Sequence, residues 1–272
     1  MPRVALVQLR TPASQAAALE QAAPLVREAA EAGAQLILTP EATNLLQRDR
    51  GKLEQAVTGA ETDAAVQGLR ALAAELKVWL LIGSALVRRE DGALANRSLL
   101  IDAEGALAAA YDKIHMFDVD LPTGERHRES ALYRPGGQAA VARTPWGRIG
   151  LTVCYDVRFP YLHRALAKAG AEMIAVPAAF TVPTGEAHWE VLLRARAIET
   201  GSFVLAPAQG GRHEDGRATW GRSTIVDPWG RVVAKLDHDE PAVVVADIDL
   251  AEAAKARAAI PALLNERAFA GP

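Results

Sequence analysis

The sequence predicts an α/β protein: a four-layer α-β-β-α sandwich in which two mixed sheets pack face to face with helices outside. Three observations predict it. Half of the 272 residues are apolar, enough core for one large α/β domain or two small ones without staples. The strand-like runs are short and almost continuously apolar, as in sheets covered on both faces. The order strand, helix, strand, helix, strand, then hairpin strands occurs twice along the chain.

Residues 4–8 form the first apolar strand. Leu19, Ala22, Ala23, Val26, Ala29 and Ala30 follow at helical spacing, and Gly33 is placed to end that helix. Pro24 lies inside the pattern and either kinks the helix or marks a late start. Residues 35–39 are a second strand, running into Pro40-Glu41. Val66, Leu69, Leu72, Ala73 and Leu76 make a second amphipathic helix, followed by a strand over 78–83. Residues 96–102 and 106–111 read as a hairpin turning at Glu104-Gly105.

The order then repeats. Residues 148–153 are a strand, and 160–168 a helix opened by Pro160 and ended by Gly170. Residues 173–176 are a strand, 186–200 a helix ended by Gly201, and 203–206 a strand. Residues 223–226 and 232–235 form a hairpin across Asp227-Pro228-Trp229-Gly230, a good turn sequence. Residues 243–248 close the sheet. Between the halves, residues 114–144 are polar, rich in Pro and Gly and without periodicity. A loop of that length in a compact domain is functional or disordered. The tail, 250–272, starts helical, breaks at Pro261, and either wraps a partner subunit or frays.

Composition excludes several classes. The formal charge of −3 is mixed along the chain, which argues against a nucleic-acid footprint. No run of about 18 apolar residues spans a membrane, and the apolar part of the N-terminus is too short for a signal peptide. One cysteine excludes an intramolecular disulfide framework. The six histidines (His115, His127, His163, His188, His213 and His238) are scattered without metal spacing. The expectation is a soluble cytoplasmic protein.

Three strand ends carry polar groups after apolar runs: Glu41 after Leu36 to Pro40, Lys113 after Ala108 to Asp112, and Cys154 after Leu151-Thr152-Val153. A charge at the buried end of a core strand is expensive unless paired or solvated. Cys154 also stands at a strand-to-helix corner, where open α/β sheets place ligands and helix amides favour negative charge. The alternative there is a buried, inert structural thiol. Together the three have coherent chemistry. A carboxylate in reach takes the thiol proton during attack. An ammonium about 4 Å away is worth roughly 4 kcal/mol to an anion at intermediate dielectric, favouring thiolate and oxyanion alike. The backbone N–H of Tyr155 is a natural second oxyanion donor. Attack on an amide or nitrile carbon gives a thioester that water hydrolyses. Glu41 acts first as base, then as acid to the leaving ammonia.

The segments Thr39-Pro40-Glu41-Ala42, Tyr111 to Asp118 and Val153-Cys154-Tyr155-Asp156-Val157-Arg158-Phe159-Pro160 resemble the Glu, Lys and Cys motifs of the nitrilase superfamily of carbon–nitrogen hydrolases. The similarity runs from Val4 to about Leu250. It implies one carbon–nitrogen hydrolase domain over 1–272 with a tail from about 250, the four-layer sandwich, a Glu41-Lys113-Cys154 triad, no metal or organic cofactor, and a homodimer or larger assembly. It also implies a second glutamate, matched by Glu129 in His127-Arg128-Glu129-Ser130, to orient Lys113 and the leaving group or water. The segment Ala187 to Thr200 resembles the amidase branch. Ala208-Gln209-Gly210-Gly211-Arg212-His213 and Asp227-Pro228-Trp229-Gly230 are most similar to the deaminated glutathione amidases, whose resemblance implies hydrolysis of the terminal amide of deaminated glutathione to 2-oxoglutarate and Cys-Gly. The ω-amidases, acting on 2-oxoglutaramate, share Ala-His-Trp-Glu but lack the Gln-x-Gly-Arg-His segment. The sequence differs from the pattern at Pro177-Ala178-Ala179-Phe180, where Ser often precedes Ala-Phe, and at Arg222, where His is common.

An anionic substrate needs a cation, and the Arg fork fits a carboxylate. Arg126, Arg128, Arg158 and Arg212 are candidates, Arg158 alternatively bridging structure behind the cysteine. Phe180, and His188 with Trp189 at a helix start, are further substrate-contact candidates; packing of that helix on the sheet is the other reading of His188 and Trp189. Arg194, Arg196 and Glu199 are spaced for helical ion pairs. Asp156 is placed to bind backbone around the corner. Competing functions are a Cys-His hydrolase, though no papain-like signature surrounds Cys154, a silent scaffold on this fold, and a small aliphatic or carbamoyl amide hydrolase of the same superfamily.

Overall fold

The structure, a computed structural model, describes residues 1–121 and 124–271. Pro122 and Thr123, in the inter-half loop, and Pro272 of the tail lie outside the described residues. The first half contains β1 (Arg3–Gln8), α1 (Gln15–Glu31), β2 (Leu36–Leu38), α2 (Arg50–Ala56), α3 (Ala64–Leu76), β3 (Trp79–Arg88), β4 (Leu94–Ile101) and β5 (Leu107–Asp112). The linking segment holds β6 (Asp118–Asp120), β7 (Arg126–Arg128), a 3-10 turn at Glu129–Ala131 and β8 (Ala140–Arg143). The second half follows with β9 (Arg148–Leu151), α4 (Pro160–Lys168), β10 (Met173–Ala175), α5 (Val182–Thr200), β11 (Phe203–Ala206), β12 (Gly210–Arg212), β13 (Ala218–Trp220), β14 (Thr224–Val226), β15 (Val232–Lys235), β16 (Ala242–Asp247) and α6 (Ala251–Ala259).

Two six-stranded mixed sheets result, in the orders β16-β1-β2-β3-β4-β5 and β15-β14-β11-β10-β9-β8. Side-chain alternation sorts the first sheet into two cores. Val4, Leu6, Leu36, Leu38 and Leu81 face the second sheet and pack with Leu151, Val176 and Leu205. Ala5, Val7, Ile37, Leu80 and Ile82 face outward and pack under Ala22, Val26, Leu69 and Ala73 of α1 and α3. The expected sandwich is therefore present, and each core strand is apolar on both faces because each face is covered.

The helices begin and end where short polar signals put them. Asp63 caps α3 by accepting from the Val66 N–H at 2.9 Å, and α4 opens on Pro160. Gly201 ends α5 in the left-handed region that glycine adopts freely. Four readings need correction. α1 starts at Gln15, well before Pro24, so the proline marks no late start; it lies on the exposed face, where its missing N–H is tolerated. α5 begins at Val182, because Pro183 fits a first turn, so His188 and Trp189 lie within the helix and not at its start. The last strand, β16, crosses over to pair antiparallel with β1 of the first sheet, Leu6 opposite Val244. The segment read as irregular contains the β6–β7 hairpin, which has no apolar pattern to announce it and is tied by Arg128 to Asp120 at 2.8 Å.

At Gly83 of β3 the backbone is closely approached from both halves of the chain. A Cβ there would stand 1.9 Å from the Thr39 carbonyl oxygen and 2.4 Å from Pro177 Cβ. Thr39 leads into Glu41, and Pro177 follows β10, so Gly83 sets the approach of the two segments that carry the site described below. Gly83→Ala is expected to lower the unfolding free energy by about 2 kcal/mol or more through overpacking. Urea denaturation measures it, and a loss under about 0.5 kcal/mol would mean the two backbones yield.

Candidate active site

The polar groups after the strand ends converge. Glu41 lies three residues beyond β2, where the chain turns through Ala42 at φ 56°. Cys154 lies three residues beyond β9, at φ 51°. Both alanine and cysteine are uncommon in this left-handed region, and such backbone strain gathers at functional sites. Lys113 directly follows β5, and Glu129 opens the 3-10 turn after β7. Glu41 and Lys113 come from the first sheet and Cys154 from the second, so the site closes only when the sheets pack.

Lys113 Nζ donates to Glu41 Oε1 at 2.9 Å and to Glu129 Oε1 and Oε2 at 2.9 and 2.8 Å. Asn96 of β4 donates from Nδ2 to Glu41 Oε1 at 2.8 Å and to Glu129 Oε1 at 3.3 Å. The Ala179 N–H donates to Glu41 Oε2 at 2.9 Å, and the Phe117 N–H to Glu129 Oε2 at 2.6 Å. The Cys154 thiol is buried next to them, within reach of the Glu41 and Lys113 charges. The Cys154 N–H is committed to the Pro177 carbonyl at 2.8 Å. Among the described residues the Tyr155 N–H has no acceptor, which leaves it free to bind an oxyanion.

The cluster is buried, and its proton distribution follows from that. Burial pushes the Glu41 carboxyl up, but Lys113, the thiol and Asn96 together hold it below its ordinary value. Burial pulls the Lys113 ammonium down, and Glu129 and then Glu41 outweigh it, leaving it well above the ordinary lysine value. Cys154 is raised well above the ordinary thiol value by burial first and the Glu41 charge second, with Lys113 opposing. The resting state is a carboxylate, an ammonium and a neutral thiol. The expected favouring of thiolate by Lys113 is present but loses to desolvation and Glu41.

Asp156 does bind backbone at the corner, and more. Fully buried, it accepts from the Val153 N–H at 2.9 Å, the Tyr111 hydroxyl at 2.7 Å and the His115 N–H at 3.0 Å. The His115 ring, stacked on Phe159, closes the set through Nδ1 at 2.6 Å. Of the ion pairs expected on α5, Arg196–Glu199 forms at 2.9 Å, and Arg194 reaches Glu190 at 3.8 Å in place of Glu199.

Above the cluster opens a cavity of about 580 Å³, lined by Cys154, Lys113, Glu41 and Glu129, with Phe117, Tyr133, Tyr155 and Phe180 as walls. Arg158, Phe180 and Arg212 line it, as do Arg126 and Arg128. His188 and Trp189 do not. Trp189 is a core side chain, packed 4.9 Å from Phe180 and donating to the Arg222 carbonyl at 2.9 Å. His188 is exposed and touches Arg158 at 3.3 Å from behind. Sequence reasoning missed Asn96, Arg48 and Arg217, and gave Ala179 no role; none of them stands in a pattern that singles it out. Among the described residues, no group of three or more His, Cys, Asp or Glu side chains is placed to hold a metal ion.

Residues 3–258 match the family model for carbon–nitrogen hydrolases. A protein of Yersinia enterocolitica named deaminated glutathione amidase is 48% identical over 206 residues, 75% of this chain and 72% of that one. A human protein of the same name is 41% identical over 275 residues, 98% of this chain and 83% of that one. A glutamate-to-glutamine variant of the amidase from Nesterenkonia sp. AN1 superposes with a TM-score of 0.82 at 28% identity, covering 98% of this chain and 94% of that one. That structure holds the acetamide moiety of fluoroacetamide covalently at its active-site cysteine. A strained cysteine beside a buried Glu-Lys-Glu cluster, on this sandwich and under this match, leaves one assignment: the chain belongs to the carbon–nitrogen hydrolase family.

Proposed function

We propose that the protein is an amidase that hydrolyses the terminal amide of deaminated glutathione to 2-oxoglutarate and Cys-Gly, with Cys154 as nucleophile. The observation that carries the chemistry is Lys113 Nζ held between Glu41 and Glu129, at 2.9 and 2.8 Å, with the buried Cys154 thiol close enough to feel both the Glu41 and the Lys113 charge. The similarity to proteins named deaminated glutathione amidase supports the substrate.

Cys154 Sγ attacks the amide carbon as its proton passes to Glu41. The oxygen becomes an oxyanion between Lys113 Nζ and the Tyr155 N–H, in the place where stabilising a developing charge contributes most. Collapse breaks the C–N bond, and Glu41 gives the proton to the departing amine of Cys-Gly. Water then loses a proton to Glu41 and attacks the thioester, while Glu129 holds Lys113 and orients the water. The second collapse frees 2-oxoglutarate and returns the proton to sulfur. No metal or organic cofactor enters these steps. Arg158, on the Phe180 and Tyr155 wall at 5.4 and 5.8 Å from the ring centres, binds the carboxylate of the 2-oxo acid. The exposed tail side chains Ile260, Leu264 and Phe269 support a homodimer as the working assembly.

Cys154→Ala is expected to cut turnover at least about 10³-fold with an unchanged circular dichroism spectrum; unchanged turnover rules out the nucleophile.

The pH dependence follows from the shifts. Glu41, depressed when folded, contributes stability above the unfolded carboxylate value near 4.3, lost as pH falls through its lower native value. Lys113 and Cys154, both raised, contribute stability below their unfolded values, near 10.4 and 8.5, lost as pH rises through the native ones. kcat/KM is therefore expected to be flat from about pH 6 to 9, where none of the three native groups changes charge. A rise centred near pH 8.5, the ordinary thiol value, would instead mean that a free thiolate attacks.

The substrate reading is tested by kcat/KM for deaminated glutathione against 2-oxoglutaramate. The larger substrate is expected to win by at least about tenfold, a difference of 1.4 kcal/mol; preference for the smaller one assigns the protein as an ω-amidase.

A further inference from the structure

Six arginines line the cavity: Arg48, Arg126, Arg128, Arg158, Arg212 and Arg217. Three already face acids. Arg128 and Arg126 share Asp120 at 2.8 and 3.5 Å, and Arg217 pairs with Asp215 at 2.8 Å. Among the described residues, Arg48, Arg158 and Arg212 have no carboxylate within ion-pair distance. Arg158 belongs to the wall beside Cys154. Arg48 and Arg212 come from two other parts of the chain, the loop beyond Glu41 and the β12–β13 hairpin, and both are exposed.

We infer that Arg48 and Arg212 form a second anion grip, for the terminal carboxylate of the leaving dipeptide, and so set the preference for a two-carboxylate amide over a one-carboxylate amide. The inference rests on the substrate reading under Proposed function. Two extended residues span at most about 7 Å. The Cys-Gly carboxylate therefore leaves the buried floor and ends toward the rim, where a free guanidinium can fork onto it.

The hairpin that carries Arg212 is fixed to the floor. Gln209 Nε2 donates to the Glu41 carbonyl at 2.9 Å and to Thr11 Oγ1 at 2.6 Å. The Gly210 N–H donates to the Leu9 carbonyl at 2.8 Å. The buried His213 ring meets Thr219 Oγ1 at 2.7 Å and the Thr11 carbonyl at 3.2 Å. Among the described residues, the one hydrogen bond of the Arg212 side chain is to the Gly216 carbonyl at 3.3 Å. A rigid base under an uncommitted cation lowers the ordering cost of binding a charged ligand end.

The test compares wild type with Arg48→Ala, Arg212→Ala and the double variant on three substrates: deaminated glutathione, the same compound with its glycine carboxylate amidated, and 2-oxoglutaramate. Both side chains are exposed, and circular dichroism checks folding. The expected result is that the double variant's kcat/KM ratio for deaminated glutathione over 2-oxoglutaramate falls roughly tenfold or more. Amidating the glycine carboxylate costs wild type the same factor and costs the double variant nothing further. Equal losses on all three substrates, or no loss on any, overturn the grip while leaving the amidase reading standing. Failure of wild type to hydrolyse deaminated glutathione overturns the substrate reading, and the grip with it.

Discussion

The buried ammonium of Lys113 between two carboxylates is the interaction on which the rest of the structure depends. Three ionised groups out of water carry a desolvation cost of several kcal/mol each, so the cluster is tolerable only fully paired. The fold supplies the pairing: Asn96 spans both glutamates, the Ala179 N–H takes the second oxygen of Glu41, and the Phe117 N–H takes the second oxygen of Glu129. These donors come from β4, from the loop after β10, and from the segment before β6. The cluster thus requires both sheets and the linking segment to be in register, and its value is in specifying that arrangement more than in net stability.

The thiol sits against this cluster because a second buried network holds its turn. Asp156 has no exposed surface and takes four hydrogen bonds, from Val153, Tyr111 and twice from His115. Tyr111 belongs to β5, two residues before Lys113, so one short stretch positions both the ammonium and the turn that carries the sulfur. Burial and then the Asp156 charge push the Tyr111 hydroxyl well above the ordinary tyrosine range, keeping it a donor. With these anchors the left-handed backbone at Cys154 is held against its own strain of roughly 1–3 kcal/mol.

Much of this is legible in the sequence, for a physical reason. Glu41 and Cys154 each follow a buried apolar strand, where a polar group is conspicuous because it would be costly; Lys113 follows the alanine-rich edge strand β5, largely exposed, so its burial shows only in the fold. Glu129 is not legible that way. It follows Arg126-His127-Arg128, a polar three-residue strand, and only the family resemblance singles it out. Asn96 is invisible: an asparagine between Ala95 and Arg97 becomes meaningful only when the fold brings glutamates 55 and 33 residues away to its amide. The last strand reads as closing the sheet of its own half and instead joins β1, because an apolar run states that it is buried and not against what. A helix read from 186 puts His188 and Trp189 at its start; the helix begins at Val182, which turns the Trp189 ring into the core and the His188 ring to solvent.

The neutral thiol follows from the same electrostatics on which the proposed reaction draws. A thiolate at rest would add a negative charge beside Glu41, deep in a buried cluster, and burial and Glu41 together defeat the pull of Lys113. Charge can leave the sulfur only by a route that does not accumulate there. In the proposed reaction it goes to the substrate oxygen, between Lys113 Nζ and the Tyr155 N–H, while the proton goes to Glu41. Glu41 becomes neutral as the oxyanion forms, so the number of negative charges around Lys113 is the same before and after attack. A preorganised site that conserves its local charge avoids a new desolvation cost at the transition state. In that proposal the substrate's carbonyl, not the enzyme's resting proton balance, is what turns the Cys154 thiol into a nucleophile.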